Sequence, residues 1–199
     1  PLSRVRRTIR NGHTAMLDLA QEWLCELLGS SDAHVLDAGC GTGLFTVALA
    51  RRGFRVTAVD LAPQMAQATR QAALAAGVAE QVRCIAGDLE QVEGRFDAVV
   101  CFDVLIHYPR AAFTQMCAGL AARAERAFLL THAPYEPHLA LMHWIGGHFP
   151  GAHRRTDIQL VPEKTVRTAL AGQQIQIQRT AQVRSGFYHV NLVAGVRQE

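Results

Sequence analysis

The sequence predicts a doubly wound α/β fold on a mostly parallel sheet, and three observations carry that prediction. Short apolar β runs alternate with helical runs from residue 34 to residue 131. The first of these β runs ends in a carboxylate and a glycine-rich turn, Val35-Leu36-Asp37-Ala38-Gly39-Cys40-Gly41-Thr42-Gly43, which is the local pattern of strand, loop and helix. Beyond Pro134 the alternation stops, and the chain closes with two β runs that read as an antiparallel hairpin.

In chain order, a helix is expected over about residues 3 to 28, with Val5, Ile9, Leu17, Leu24 and Leu28 as its apolar positions. Strands follow at His34–Ala38, Arg55–Asp60, Gln81–Ala86, Phe96–Phe102 and Arg126–Thr131. Helices lie between them at Leu44–Arg52, Pro63–Ala76 and Arg110–Ala122. Pro63 suits a first helical turn, where its missing N–H is not needed. After Pro134 the pattern gives an extra helix at Pro137–Gly147, a Pro/Gly/Arg loop at Phe149–Asp157 and a helix at Pro162–Ala171. The hairpin strands are Gln174–Val183 and Phe187–Val196. The whole reads as one domain, residues 1–199, with an inserted lid at about 134–160.

The glycine loop points to a nucleoside ligand. Glycine at alternate positions lets backbone approach a ligand that side chains would block. Asp60 follows about 20 positions after Gly41, the distance at which a carboxylate at the tip of the next parallel strand accepts ribose hydroxyls. A dinucleotide is disfavoured, because Leu44 and Thr46 stand where the third fingerprint glycine belongs. Asp37 would also repel a pyrophosphate by several kcal/mol at an effective dielectric of ~20. S-adenosylmethionine fits better, since it has no phosphate and carries a cationic sulfonium and ammonium. The strand ends Asp37, Asp60, Asp88, Asp103 and His132 gather on one sheet edge, where ligands of such folds bind. Asp88 suits either the exocyclic amine of adenine, with Leu89 against the ring, or a turn cap. Asp97, at the opposite end of its strand, reads as structural, and Cys40 as a small loop filler.

Formal charge is +3 over 199 residues, too little to argue for nucleic acid, and all but one of the 20 basic residues are arginine, the exception being Lys164. Five scattered cysteines without a C-x-x-C pair fit a reducing, cytoplasmic setting. No uncharged apolar run approaches the ~18 residues of a membrane span, and the basic start lacks a signal-like apolar core. The chain opens in an already helical pattern, so residues are expected to precede Pro1.

The segment Cys101 to Pro109 leaves the fourth strand and turns over the cofactor edge, which sets His107 toward the reacting group. Five of the nine histidines fall at His132, His138, His143, His148 and His153. The steps of five turn ~140° per ring on a helix, so they form no helical metal site. No protein-bound metal is expected. The apolar stretch Leu139 to Ile145, followed by Gly146-Gly147, suits a lid over a large flat ligand or a piece of core equally.

The stretch Asp37 to Gly43 resembles motif I of the Rossmann-like S-adenosylmethionine-dependent methyltransferases. Three further pieces resemble the magnesium protoporphyrin IX O-methyltransferases of chlorophyll and bacteriochlorophyll synthesis: Arg4 to His13 (RVRRTIRNGH), Asp103 to Pro109 (DVLIHYP) and Ser185 to His189 (SGFYH). The pairs Ile145-Gly146 and Phe149-Pro150 resemble that family's inserted lid. An aromatic-rich segment that precedes the first helix in the family has no counterpart in these residues. The resemblance implies methyl transfer from S-adenosylmethionine, giving S-adenosylhomocysteine (SAH), to one propionate of a magnesium porphyrin; the magnesium arrives with the substrate. It implies cofactor contacts at Asp37, Gly39, Cys40, Gly41, Gly43, Asp60, Leu61, Asp88, Leu89, Phe102 and Asp103. His107 would hold the propionate. Tyr108 and Trp144 would meet the porphyrin, and His132, His143 and His148 are candidates for an axial imidazole on magnesium. Arg154 or Arg155 would pair with the propionate that is not methylated, or simply belong to a solvated loop. The magnesium chelatase subunit that carries porphyrin is an implied partner, and peripheral contact with the photosynthetic membrane an implied location. Competing readings are an O-methyltransferase acting on a quinone-type phenol, a non-catalytic porphyrin carrier and an NAD-dependent oxidoreductase, the last disfavoured by the missing glycine.

Overall fold

The computed structural model describes residues 2–29, 32–134 and 158–198. Its strands are β1 (His34–Ala38), β2 (Arg55–Asp60), β3 (Val82–Ala86), β4 (Phe96–Cys101), β5 (Ala124–Pro134), β6 (Leu160–Val161), β7 (Ile175–Ser185) and β8 (Tyr188–Arg197). They join in the order β3-β2-β1-β4-β5-β8-β7, with β6 pairing β5 off that path. The first five run parallel, and β8 lies antiparallel to both of its neighbours. The helices are α1 (Leu2–Leu28), α2 (Leu44–Ala50), α3 (Pro63–Ala75), α4 (Arg110–Ala122) and α5 (Glu163–Ala171). The doubly wound sheet with its closing hairpin is thus as the sequence predicts.

Helices on both faces explain why β1, β2 and β4 are apolar almost throughout, whereas the edge strand β7 alternates between covered and solvent-facing residues. Alternation through β5 feeds two cores. Ala127 and Leu129 join Met16, Leu24 and Leu49 on one face, and Phe128 and Leu130 join Phe113, Leu120 and Leu170 on the other. In α1 the buried stripe is Gly12, Met16, Ala20, Leu24 and Leu28, spaced by four, and Ile9 stands 42% exposed instead of entering the core.

Element boundaries depart from the sequence reading where long-range pairing extends a strand. The fifth strand runs on to Pro134, because its last residues gain β6 on one side while His132 pairs Asn191 of β8 on the other. His132 is therefore inside a strand, not at its tip. The first hairpin strand runs two residues further, to Ser185, and the second begins one residue later, at Tyr188, leaving Gly186 and Phe187 as a two-residue turn closed by the Ser185–Tyr188 pair. A 3-10 turn at Ala79–Gln81 delays β3 by one residue. The helix expected at Pro137–Gly147 and the loop at Phe149–Asp157 lie outside the described residues, together with most of the lid. No helix among the described residues is long and apolar enough to cross a membrane.

Phe128 is fully buried in β5, next to the parallel-to-antiparallel junction of the sheet. Phe128→Ala should lower unfolding free energy by about 3–5 kcal/mol, read as a fall in the urea midpoint at unchanged slope.

Candidate functional site

At the carboxyl edge of the sheet, β1 gives way to a loop held from both sides. The Gly39 and Cys40 amides donate to the Val59 carbonyl at 2.8 and 3.1 Å. The Gly41 amide donates to Asp60 Oδ2 at 2.9 Å, the Ala62 amide donates to Asp60 Oδ1 at 2.9 Å, and the Thr69 hydroxyl donates to the Gly41 carbonyl at 2.9 Å. The three glycines have different reasons to be there. All take positive φ, but a Cβ on Gly39 would lie 2.1 Å from Val104 Cγ2 and one on Gly43 2.9 Å from Thr69 Cα, whereas nothing lies within 4 Å of that position at Gly41. Only Gly41 opens the loop to a ligand; Gly39 and Gly43 are required by packing within the protein.

Two adjoining cavities lie above this loop. One, of about 350 Å³, is walled by His13, Asp37, Gly41, Leu44, Phe45 and Phe102. The other, of about 290 Å³, is walled by Leu61, Asp88, Leu89, His107 and Tyr108. Gly39, Asp60, Asp103 and Val104 border both. Four carboxylates line the pair and, among the described residues, no lysine or arginine does. That sign of charge suits a cationic ligand and opposes a phosphate.

Each acid is held differently. Asp37 is buried and accepts from the Thr46 hydroxyl at 2.5 Å. Burial pushes its pKa up to about 6, against the Thr46 hydrogen bond and with help from Asp60. Asp60 has both oxygens on backbone amides, yet a carboxylate has about four acceptor sites, so ribose hydroxyls find room. Asp88 Oδ1 accepts from the Glu90 amide at 2.9 Å and caps the 3-10 turn Leu89–Gln91, the turn-cap alternative, while still bordering the second cavity. Asp97 is structural: it accepts from the His34 amide at 2.8 Å and faces Arg126. Cys40 is buried beside Thr69, and burial raises its thiol to about 12, which leaves it inert as a nucleophile.

Asp103 has the densest set of partners and sits in the left-handed region at φ 56. Its amide donates to Thr131 Oγ1 at 2.7 Å, and that hydroxyl donates back to Asp103 Oδ1 at 3.0 Å. The Tyr188 hydroxyl donates to Asp103 Oδ2 at 2.8 Å, and His13 Nε2 stands 3.8 Å from the same oxygen. His13, Thr131, Tyr188 and Thr46 were not legible as site residues, though His13 and Tyr188 fall inside the RNGH and SGFY pieces that carry the family resemblance. His107 is exposed in a 3-10 turn, Leu105–His107, with Tyr108 half-buried beside it. His132 is fully buried with Nδ1 3.1 Å from the Val161 carbonyl, and it borders neither cavity. Burial lowers its pKa. His143, Trp144, His148, Arg154 and Arg155 lie outside the described residues.

Comparison with known proteins decides the family. A family model described as the magnesium-protoporphyrin IX methyltransferase C-terminus matches residues 101–197, and a methyltransferase domain model matches 35–124. A magnesium-protoporphyrin O-methyltransferase from Synechocystis is 35% identical over 97% of this chain and 84% of its own length. The chain belongs to the magnesium-protoporphyrin O-methyltransferase family. A chloroplastic magnesium protoporphyrin IX methyltransferase from Arabidopsis thaliana is 34% identical over 98% of this chain, which spans 63% of that relative. The crystal structure of the Synechocystis magnesium protoporphyrin IX methyltransferase with bound SAH superposes with a TM-score of 0.88 at 33% identity, covering 98% of this chain and 87% of that one.

For this member of the family, Asp37 links the site to stability. Its folded pKa of about 6 exceeds the ordinary aspartate value, so the folded state holds the proton more tightly and stability falls as pH rises from about 4 through about 6. Asp37→Asn, ligand-free, should be more stable than the parent by about 1–3 kcal/mol at neutral pH. Thermal unfolding at pH 4 and pH 7.5 checks this, with the gap closing at the lower pH.

Proposed function

We propose that this chain transfers a methyl group from S-adenosylmethionine to a propionate carboxylate of magnesium protoporphyrin IX. The observation that supports it best is the double cavity above Gly41, lined by four carboxylates and no arginine or lysine among the described residues, in a member of this family.

The residues present fit the methyl donor. Gly41 leaves open space where a side chain would stand, Asp60 retains acceptor sites for a ribose, and Leu61 and Leu89 with Asp88 offer apolar walls and an acceptor for an adenine. Phe102 packs edge-on against Phe45 with ring centroids 5.0 Å apart and walls the first cavity. Bound there, S-adenosylmethionine supplies an electrophilic methyl on a sulfonium. The acceptor asks for little proton chemistry, since a propionate near a reference pKa of ~4.3 is already ionised at neutral pH. The protein's share is alignment of the carboxylate and exclusion of the water that hydrates it. In this reading His107, at the rim of the second cavity, donates a hydrogen bond to the propionate, and Tyr108 packs against the macrocycle. The inserted segment, with Trp144 at its apolar centre, covers the porphyrin. An apolar substrate that partitions into lipid is the reason to infer a peripheral membrane location, and its insolubility the reason to infer hand-over from a porphyrin-carrying chelatase subunit.

Incubation of the protein with S-adenosylmethionine and magnesium protoporphyrin IX should yield a product heavier by one methyl, read by mass spectrometry; no gain would overturn the proposal. Asp60→Ala should weaken SAH binding at least tenfold by calorimetry, about 1.4 kcal/mol for lost charged hydrogen bonds.

His107→Ala separates alignment from base catalysis. Loss of a positioning contact should lower kcat by about one to two orders of magnitude at every pH, whereas loss of a general base costs about 10²–10⁴-fold and is relieved as hydroxide rises. Rate measurements from pH 6 to 10 should give a uniformly slow variant. Recovery toward pH 10 would mean that the acceptor must lose a proton, as a phenol does.

A further inference from the structure

Three sequence pieces that mark the family, RNGH on α1, the start of DVLIHYP after β4 and SGFY on the hairpin, meet at one carboxylate. Asp103 and Tyr188 are 85 residues apart in sequence and joined by a 2.8 Å hydrogen bond. The meeting is built, not incidental. A Cβ on Gly12 would lie 2.6 Å from Tyr188 Cδ1, so only glycine lets α1 close over that ring. At the hairpin tip, Gly186 takes φ 58 and lies against Thr8, where a Cβ would be 2.7 Å from the threonine. The His13 ring sits edge-on to Tyr188 with centroids 6.2 Å apart. Asp103 itself takes a left-handed conformation, φ 56, with its own amide and its carboxylate both tied to the Thr131 hydroxyl.

The arrangement leaves Asp103 with work to do. Thr131 occupies one acceptor site on Oδ1 and Tyr188 one on Oδ2, so each oxygen keeps a second. The side chain is 22% exposed and borders both cavities. Since Leu61, Asp88 and Leu89 make the second cavity the place for a nucleoside base, the amino-acid end of the donor falls in the first, where Asp37, Asp103 and His13 gather. Tyr188 is well placed as a constant donor, because burial and then the neighbouring Asp103 raise its phenol far above the ordinary value and keep it neutral.

We propose that Tyr188 is a positioning residue for the methyl donor: with Thr131 it fixes the Asp103 carboxylate to receive the ammonium of the methionine moiety, and so makes donor binding depend on the docking of α1 and the hairpin. This rests on the S-adenosylmethionine reading above. SAH and 5′-methylthioadenosine separate the two, because the second ligand keeps the nucleoside and thioether and lacks the amino-acid end.

Calorimetric titration of wild type, Tyr188→Phe and Asp103→Asn with both ligands is the test. Tyr188→Phe, which keeps the ring under Gly12, should lose about tenfold in SAH affinity and nothing in methylthioadenosine affinity. Asp103→Asn should lose at least as much for SAH, and adding Tyr188→Phe to it should change little, since the two act as one unit. Thr131→Val, a change of the same shape, should repeat the selective loss from the other oxygen. Equal losses for both ligands would make Tyr188 a fold support only, and additive or absent losses for SAH would also overturn the proposal. Wild type that binds neither ligand would remove the donor reading itself, before any variant is measured.

Discussion

The carboxylate of Asp60 holds the site together. It ends β2, accepts the Ala62 amide in its own turn and reaches across to the Gly41 amide of the neighbouring loop. With Gly39 and Cys40 tied to the Val59 carbonyl, the loop after β1 is fastened along the tip of β2. The backbone at Gly41 is thereby presented outward in a left-handed turn held by protein groups alone. A pre-formed loop spares the ligand the entropy of ordering it. The same carboxylate that braces the loop borders both cavities, and its remaining lone pairs are left for other donors.

Gathering four acids in one cleft strains the protein, and the structure distributes the strain unequally. Asp37 bears the burial and responds by holding its proton to a higher pH, with Thr46 as its one neutral donor. Asp60 and Asp88 accept hydrogen bonds from backbone amides. Asp103 is held by two hydroxyls and stands near a histidine. None of these devices is a lysine or arginine. A permanent cation would relieve the repulsion in the empty site and then compete with a cationic ligand for the same carboxylates, so neutral donors are the arrangement that keeps the field available.

What the sequence made legible follows the range of the interactions involved. The strands, the glycine loop and Asp60 were readable because apolar periodicity, turn chemistry and a fixed βαβ length are local properties. The glycines were readable as a loop, yet their individual reasons were not: Val104 and Thr69, which force Gly39 and Gly43, lie tens of residues away. His132 misled for the same cause. Its strand is lengthened by β6 and β8, partners that join it from beyond the insertion, and a two-residue strand such as Leu160–Val161 has no periodicity to detect. His13 and Tyr188 carry no chemical signature by themselves. Only the convergence of α1, β4, β5 and β8 on Asp103 gives them one, and that convergence exists in the folded chain alone.

The two family models overlap over residues 101–124, and the overlap includes Asp103, which borders both cavities. The general methyltransferase part ends at Ala124, the first residue of β5, having supplied the loop, Asp60 and Asp88. The porphyrin-specific part begins at Cys101, on the last residue of β4, and contributes the turn through His107 together with β5 and the hairpin. Phe102, Asp103, His107 and Tyr108 belong to both. Asp103 cannot be assigned to either half. It borders both cavities, and its carboxylate is fixed by Thr131 and Tyr188 from the half that the porphyrin-methyltransferase model matches, so that half shapes a wall shared by the two cavities.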